Sequence, residues 1–151
     1  MQFSSDNFYH IYNRGNNKQL IFPQERNYDY FLNKVKIEIR PLCDIIAYCL
    51  MPNHYHLLLY INEDCKALEI VQRQPLLARK IGTIQSSYTQ GVNKQENRTG
   101  SLFQQKSKAK LIDTNNYALT CIHYIHQNPM RAKLVKKMED WKYNQVGDWH
   151  C

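Results

Sequence analysis

Residues 45 to 61, IIAYCLMPNHYHLLLYI, hold two β-rich runs, 45 to 51 and 54 to 61, separated by the turn dipeptide Pro52-Asn53. That is a β-hairpin in outline. Upstream, FYHIYN at 8 to 13 is aromatic and β-branched and is followed by Arg14-Gly15-Asn16-Asn17, so it reads as a strand entering a loop. Between these strands Tyr28, Phe31, Leu32, Val35 and Ile39 fall at helical spacing, with Pro23 suited to the first turn and Pro41 ending the helix. Downstream, residues 66 to 92 read as helix with a stripe of Leu77, Ile81, Ile84 and Tyr88, interrupted near its start by Pro75. The segment GVNKQENRTG, 91 to 100, has a loop's composition, and SLFQQKSKAKLI, 101 to 112, reads as another strand. Asp113 or Thr114 can cap a last helix that runs to about Asn128, because Pro129 disfavours helical geometry in the residue before it. Trp141, Tyr143 and Trp149 in the tail are expected to pack on the body. The order strand, helix, hairpin, helix, strand, helix predicts an α+β fold, an antiparallel sheet of ferredoxin-like character with helices packed on it.

At 151 residues the chain is expected to form one domain, 1–151. Its 43% hydrophobic and 22% charged residues are those of a globular protein and exclude a disordered tail. The 20 Lys and Arg against 13 Asp and Glu give a net charge of +7, which favours a polyanionic partner but by itself also fits a solvated basic face. The start MQFSSDNFYHIYNRG has neither the basic opening nor the apolar run of a signal peptide, and no stretch approaches the roughly 20 apolar residues that span a bilayer. No membrane association and a cytoplasmic, nucleoid-associated location are therefore expected. The five cysteines form no Cys-x-x-Cys pair and read as reduced and structural.

His54-Tyr55-His56 is the sharpest local feature. Alternate side chains on a strand share a face, so His54 and His56 can hold one metal ion between them. A bare His-x-His more often belongs to a solvated or hydrogen-bonded sheet face, and the motif needs a partner. On the last helix Tyr124 and Asn128 lie four residues apart on one face, with Tyr117 and Cys121 behind them, while Ala118, Ile122 and Ile125 form the packing face. Taken alone, Tyr124 reads more readily as a ring packed on the sheet. Taken together, a metal held by His54, His56 and the Asn128 carbonyl oxygen could polarise a phosphate that the Tyr124 hydroxyl attacks. A phenol titrates near pH 10, so a metal or a base must help to remove its proton. Lys106, Lys108 and Lys110 alternate along the predicted strand, a spacing suited either to phosphates or to protecting a sheet edge. Arg14, Lys18, Lys94, Arg98, Arg131 and Lys133 can extend that basic surface.

Four segments, YHIYNRG at 9 to 15, MPNHYHLLL at 51 to 59, TGSLFQQK at 99 to 106 and YIHQNPMRAKLV at 124 to 135, resemble in order the single-tyrosine His-hydrophobic-His transposases, the IS200-like family, and within it the REP-associated branch. The resemblance implies a ferredoxin-like core with metal ligands at His54 and His56, a third ligand at Asn128 and a nucleophile at Tyr124. It further implies magnesium or manganese as cofactor, hairpin-forming single-stranded DNA as partner, and a 5′-phosphotyrosine product with a free 3′-hydroxyl. Such proteins occur as monomers and as homodimers, and no segment decides between the two. Pro75 departs from the regular helix expected there. Two other readings stay open: a module that stacks single-stranded bases on Tyr9, Tyr12 and Tyr60 without cutting, and a hydrolase that activates water at the histidines.

Overall fold

A computed structural model describes residues 2–112 and 115–146. Strand β1 spans Asn7–Arg14, helix α1 Glu25–Ile39, and strands β2 and β3 Asp44–Met51 and His54–Ile61. A two-stranded ribbon of β4 (Ile70–Val71) and β5 (Gln74–Pro75) leads into helix α2, Leu76–Gln95. Strand β6 (Lys108–Ile112), helix α3 (Asn115–Arg131) and strand β7 (Asn144–Val146) complete the order. The main sheet is antiparallel with strand order β6-β1-β3-β2-β7. Its first four strands carry the split β-α-β arrangement expected of a ferredoxin-like sheet, and β7 adds a strand beside β2.

The two sheet faces differ in character. One is covered by α1 and α2, whose stripes of Tyr28, Phe31, Val35 and Ile39 and of Leu77, Ile81, Ile84, Tyr88 and Val92 close over Ile11, Tyr55, Leu57 and Leu59. Rings dominate this core, with Phe31 near Tyr55, Tyr88 and Phe103 at centroid distances of 5.0, 5.2 and 6.4 Å. The other face is covered by α3, which buries Ala118, Cys121 and Ile125 against Ala47, Cys49, Met51 and Leu58. This second core is smaller, and the candidate site residues lie at its margin.

Several boundaries differ from the sequence reading. Pro23 precedes α1, which starts at Glu25 with the Asn27 Oδ1 accepting the Gln24 backbone N–H at 3.0 Å. Pro75 stands at the N-cap of α2 in extended geometry, so it begins the helix and does not break one. Residues before it form a 3₁₀ turn at Lys66–Leu68 and the β4–β5 ribbon. Helix α2 runs past 91 to Gln95 because Val92 continues the buried stripe. Strand β6 covers only Lys108–Ile112, since Gln104 and Ser107 are drawn toward α2 and β1: Asn13 Nδ2 donates to Gln104 O at 3.1 Å and Ser107 Oγ to Gln85 Oε1 at 2.6 Å. Lys106 therefore sits in a bend outside the strand and does not continue the face of Lys108 and Lys110. Helix α3 carries Pro129 inside it and ends at Arg131; the Ala132 and Leu134 N–H groups reach Asn128 O and Pro129 O at 2.9 Å. The proposed caps Asp113 and Thr114, and Trp149 and Cys151, lie outside the described residues. Trp141 and Tyr143 pack as expected, with Trp141 Nε1 donating to Leu50 O at 2.7 Å and Tyr143 stacked on Tyr28 at 4.4 Å. Cys43, Cys49, Cys65 and Cys121 are free thiols. Among the described residues no helix is long and apolar enough to cross a membrane.

Candidate active site

Antiparallel pairing sets the site. Across β1 and β3, Tyr12 faces His56 and Arg14 faces His54, while β6 sets Lys108 opposite Tyr12 and Lys110 opposite His10. Directly opposed residues share a face, so His10, Tyr12, Arg14, His54, His56, Lys108 and Lys110 all point to the α3 side. Tyr55, between the two histidines, points the other way into the aromatic core.

A cavity of about 390 Å³ opens between this face and α3, walled by His10, Tyr12, Arg14, His56, Lys110, Ile112, Tyr117, Thr120, Cys121 and Tyr124. Of the proposed nucleophile, metal ligands and DNA contacts it brings together four, Arg14, His56, Lys110 and Tyr124. His54, Asn128, Lys106, Lys108 and Arg131 are not among its wall residues, yet most connect to it. The His54 and His56 rings are 5.0 Å apart and nearly perpendicular. Arg131 donates to Asn128 Oδ1 at 3.0 Å and to the Tyr124 carbonyl at 3.2 Å, and its guanidinium lies 4.0 Å from the centre of the Tyr124 ring. Lys110 Nζ bonds the Tyr117 hydroxyl at 3.1 Å, and Lys108 stands 6.0 Å from the Tyr12 ring centre. Tyr124 is 49% exposed, so a nucleic-acid strand can reach its hydroxyl.

Burial keeps the histidines neutral. His56 is held well below the usual imidazole range, first by burial and then by His10, His54, Arg131 and Arg14. Arg131, at the end of α3, is thus among the charges that lower His56. His54 is lowered by burial and by Arg14, and His10 is lowered to about 4 by burial and by Lys110. Neutral imidazole is the form that ligates a metal.

The donor set fits a small divalent cation. His54 Nδ1 lies 2.7 Å from Asn53 Oδ1, an acceptor, so the proton sits on Nδ1 and the lone pair on Nε2. His56 Nδ1 is likewise engaged, with His10 Nε2 at 2.8 Å, leaving its Nε2 for another partner. Among the described residues no group of three or more His, Cys, Asp and Glu is placed to hold a metal. A third donor must be of another type; the Asn128 Oδ1 is an oxygen of the right kind, but it accepts from Arg131 at 3.0 Å and would have to exchange that bond for the cation, while its Nδ2 is a donor and cannot ligate.

Sequence reasoning missed His10. Its signal is the period of two along β1, but its place beside His56 depends on a strand register that composition cannot supply. The glycine of YHIYNRG has a local reason: a Cβ on Gly15 would run into the Gln19 carbonyl oxygen, and its N–H bonds Asn53 O at 2.9 Å, tying the loop after β1 to the turn before His54. Tyr9 is buried in the main core and hydrogen-bonded to Ser4, so it cannot serve as a stacking platform for bases. Tyr88 is fully buried on the opposite sheet face, with its hydroxyl on Ile21 O.

Residues 4–128 match the IS200-like transposase family. The chain belongs to that family. It is 24% identical over 131 residues to a protein of Haemophilus influenzae described as a REP-associated tyrosine transposase, an alignment covering 80% of this chain and 73% of that one. It also superposes on the structure of a REP-associated tyrosine transposase bound to a REP hairpin, with a TM-score of 0.71 and 16% identity over 95% of this chain and 79% of the other. This transposase has the same α+β fold. The enzyme class follows from the family.

Proposed function

We propose that this transposase cleaves and rejoins single-stranded DNA beside a hairpin, using Tyr124 as nucleophile and Mg2+ or Mn2+ bound by His54, His56 and Asn128. The observation that carries this reading is the cavity that a reachable tyrosine, a neutral, buried histidine and two cations, Arg14 and Lys110, line together. Arg14 and Lys110 attract the phosphate, and Arg131, stacked on the Tyr124 ring, restricts the approach of its hydroxyl. The Tyr124 oxygen forms a bond to phosphorus as the bond from phosphorus to the 3′ oxygen breaks. The phenolic proton passes to solvent water at the exposed Tyr124, and the 3′ oxygen takes a proton from water and departs as a hydroxyl, leaving DNA on the tyrosine as a 5′-phosphodiester. Attack by that 3′-hydroxyl, or another, reverses the step and frees the tyrosine. When bound, the cation supplies Lewis-acid polarisation and charge neutralisation at the phosphate. The hairpin partner is supported by the relative whose structure holds a REP hairpin.

Labelled single-stranded hairpin DNA incubated with the protein and manganese, then run on a denaturing gel, tests the proposal. A protein-linked band that needs both the cation and Tyr124 is expected. Cut DNA without attachment would support water activation at the histidines, and retention without cutting would reduce the protein to a binding module.

A further inference from the structure

The second nitrogen of His56 meets another imidazole. His10 and His56 are 8% and 9% exposed, with His10 Nε2 2.8 Å from His56 Nδ1, ring centres 5.0 Å apart and planes inclined by 28°. The Tyr12 ring flanks His10 at 4.6 Å. Between two neutral imidazoles such a bond needs one N–H and one lone pair, which leaves two arrangements. If His10 donates, His56 carries its proton on Nε2 and cannot ligate through that atom. If His56 donates from Nδ1, its Nε2 offers a lone pair, and His10 carries its own proton on Nδ1. His54 already has the second polarity, fixed by Asn53 Oδ1. A ligating histidine that donates its other N–H to a fixed acceptor is the general pattern at metal sites.

We infer that His10 is a positioning residue: its Nε2 accepts the His56 Nδ1–H, fixing the tautomer and ring plane in which His56 presents Nε2 to a divalent cation. The inference rests on the proposed metal chemistry above, but its first consequence concerns the metal-free protein. Burial keeps water from replacing His10, so the His56 proton position is coupled to the His10 tautomer.

Long-range proton–nitrogen correlation spectra of the nitrogen-15-labelled, metal-free chain read that position directly. His56 is expected as the Nδ1–H form in wild type, and finding it as Nε2–H overturns the inference without any variant. His10→Gln keeps an acceptor and is expected to preserve the tautomer. His10→Phe keeps a ring without an acceptor and is expected to mix the tautomers and to weaken manganese binding, read by calorimetry, roughly 10- to 100-fold. A His10→Phe protein with unchanged tautomer and unchanged manganese affinity overturns the inference while leaving the metal reading intact. A wild-type chain that takes up no manganese overturns both.

Discussion

His54→Ala and His56→Ala delete the same side chain from alternate positions of β3, yet they should differ in their effect on folding. His56 is buried against His10, and its loss leaves the His10 nitrogen without a partner, a cost of about 1–3 kcal/mol. His54 is half-buried and, among the described residues, its ring bonds the adjacent Asn53 side chain, so its removal should cost less than about 1 kcal/mol. Both should lose manganese binding and cleavage. Urea unfolding beside calorimetric titration checks this, and full manganese affinity in either variant would remove that ligand. The tyrosines separate as sharply: Tyr124→Phe should abolish the covalent adduct and keep hairpin binding, whereas Tyr88→Phe should form adduct at comparable yield and lose about 1 kcal/mol of stability with its bond to Ile21 O. Adduct mapped to Tyr88 by mass spectrometry would reverse the assignment. The histidines also set an acid limit. His10 titrates near 4 in the fold and near 6.5 when unfolded, so between those values the unfolded chain binds more protons. Above that window it contributes nothing; as pH falls through it, stability of the chelated protein should drop by roughly 3 kcal/mol from His10, and further from His56. Urea midpoints that stay flat across the window would show that these imidazoles are solvated.

At the level of elements, the hairpin, β1 and the stripes of α1 and α2 were legible because each carries its own periodicity. What failed were boundaries set by contacts between elements. Val92 extends α2 because there is core beneath it, and Pro75 starts that helix because a ribbon, invisible to any helical or alternating pattern, delivers the chain there. The alternating lysines illustrate the same limit: spacing placed Lys106 with Lys108 and Lys110, but the bonds of Gln104 and Ser107 bend the chain before β6 begins. Of the site, Tyr124, His56, Arg14 and Lys110 were legible and meet in one cavity, whereas His10 needed the β1–β3 register. The basic stripe is consequently shorter than its sequence suggests. Replacing Lys108 and Lys110 with glutamine should weaken binding to all single strands and lower the salt slope by roughly 0.7 per lost phosphate contact. Adding Lys106→Gln should change the slope by less than either of the others. Equal slopes for wild type and the double variant would make β6 a lysine-protected sheet edge and nothing more.

Across the whole molecule the sheet divides labour between its faces. The α1–α2 side holds the larger aromatic core, including Phe22, Tyr28, Phe31, Tyr55, Tyr88 and Phe103, and the α3 side holds the cavity with its histidines, cations and Tyr124. Adjacent residues of one strand serve opposite ends: Tyr55 packs on Phe31 while His54 and His56 face the cavity. Stability and chemistry should therefore be separable by substitution. Phe31 is almost fully buried in the opposite core and is not among the residues that line the cavity, so Phe31→Leu should lower unfolding stability by roughly 1–3 kcal/mol through lost ring contacts. Well below its melting temperature the variant remains folded, and its adduct yield per folded molecule at saturating hairpin DNA should equal that of wild type. Tyr124→Phe should do the reverse, abolishing adduct at an unchanged melting temperature, because the lost hydroxyl lies on an exposed side chain. Thermal unfolding and adduct yield measured on the same preparations decide the matter. A Phe31→Leu protein that is folded yet loses adduct in proportion to its stability would mean that strain in the aromatic core reaches β3 and displaces the histidines, and the two faces would then have to be treated as one mechanical unit.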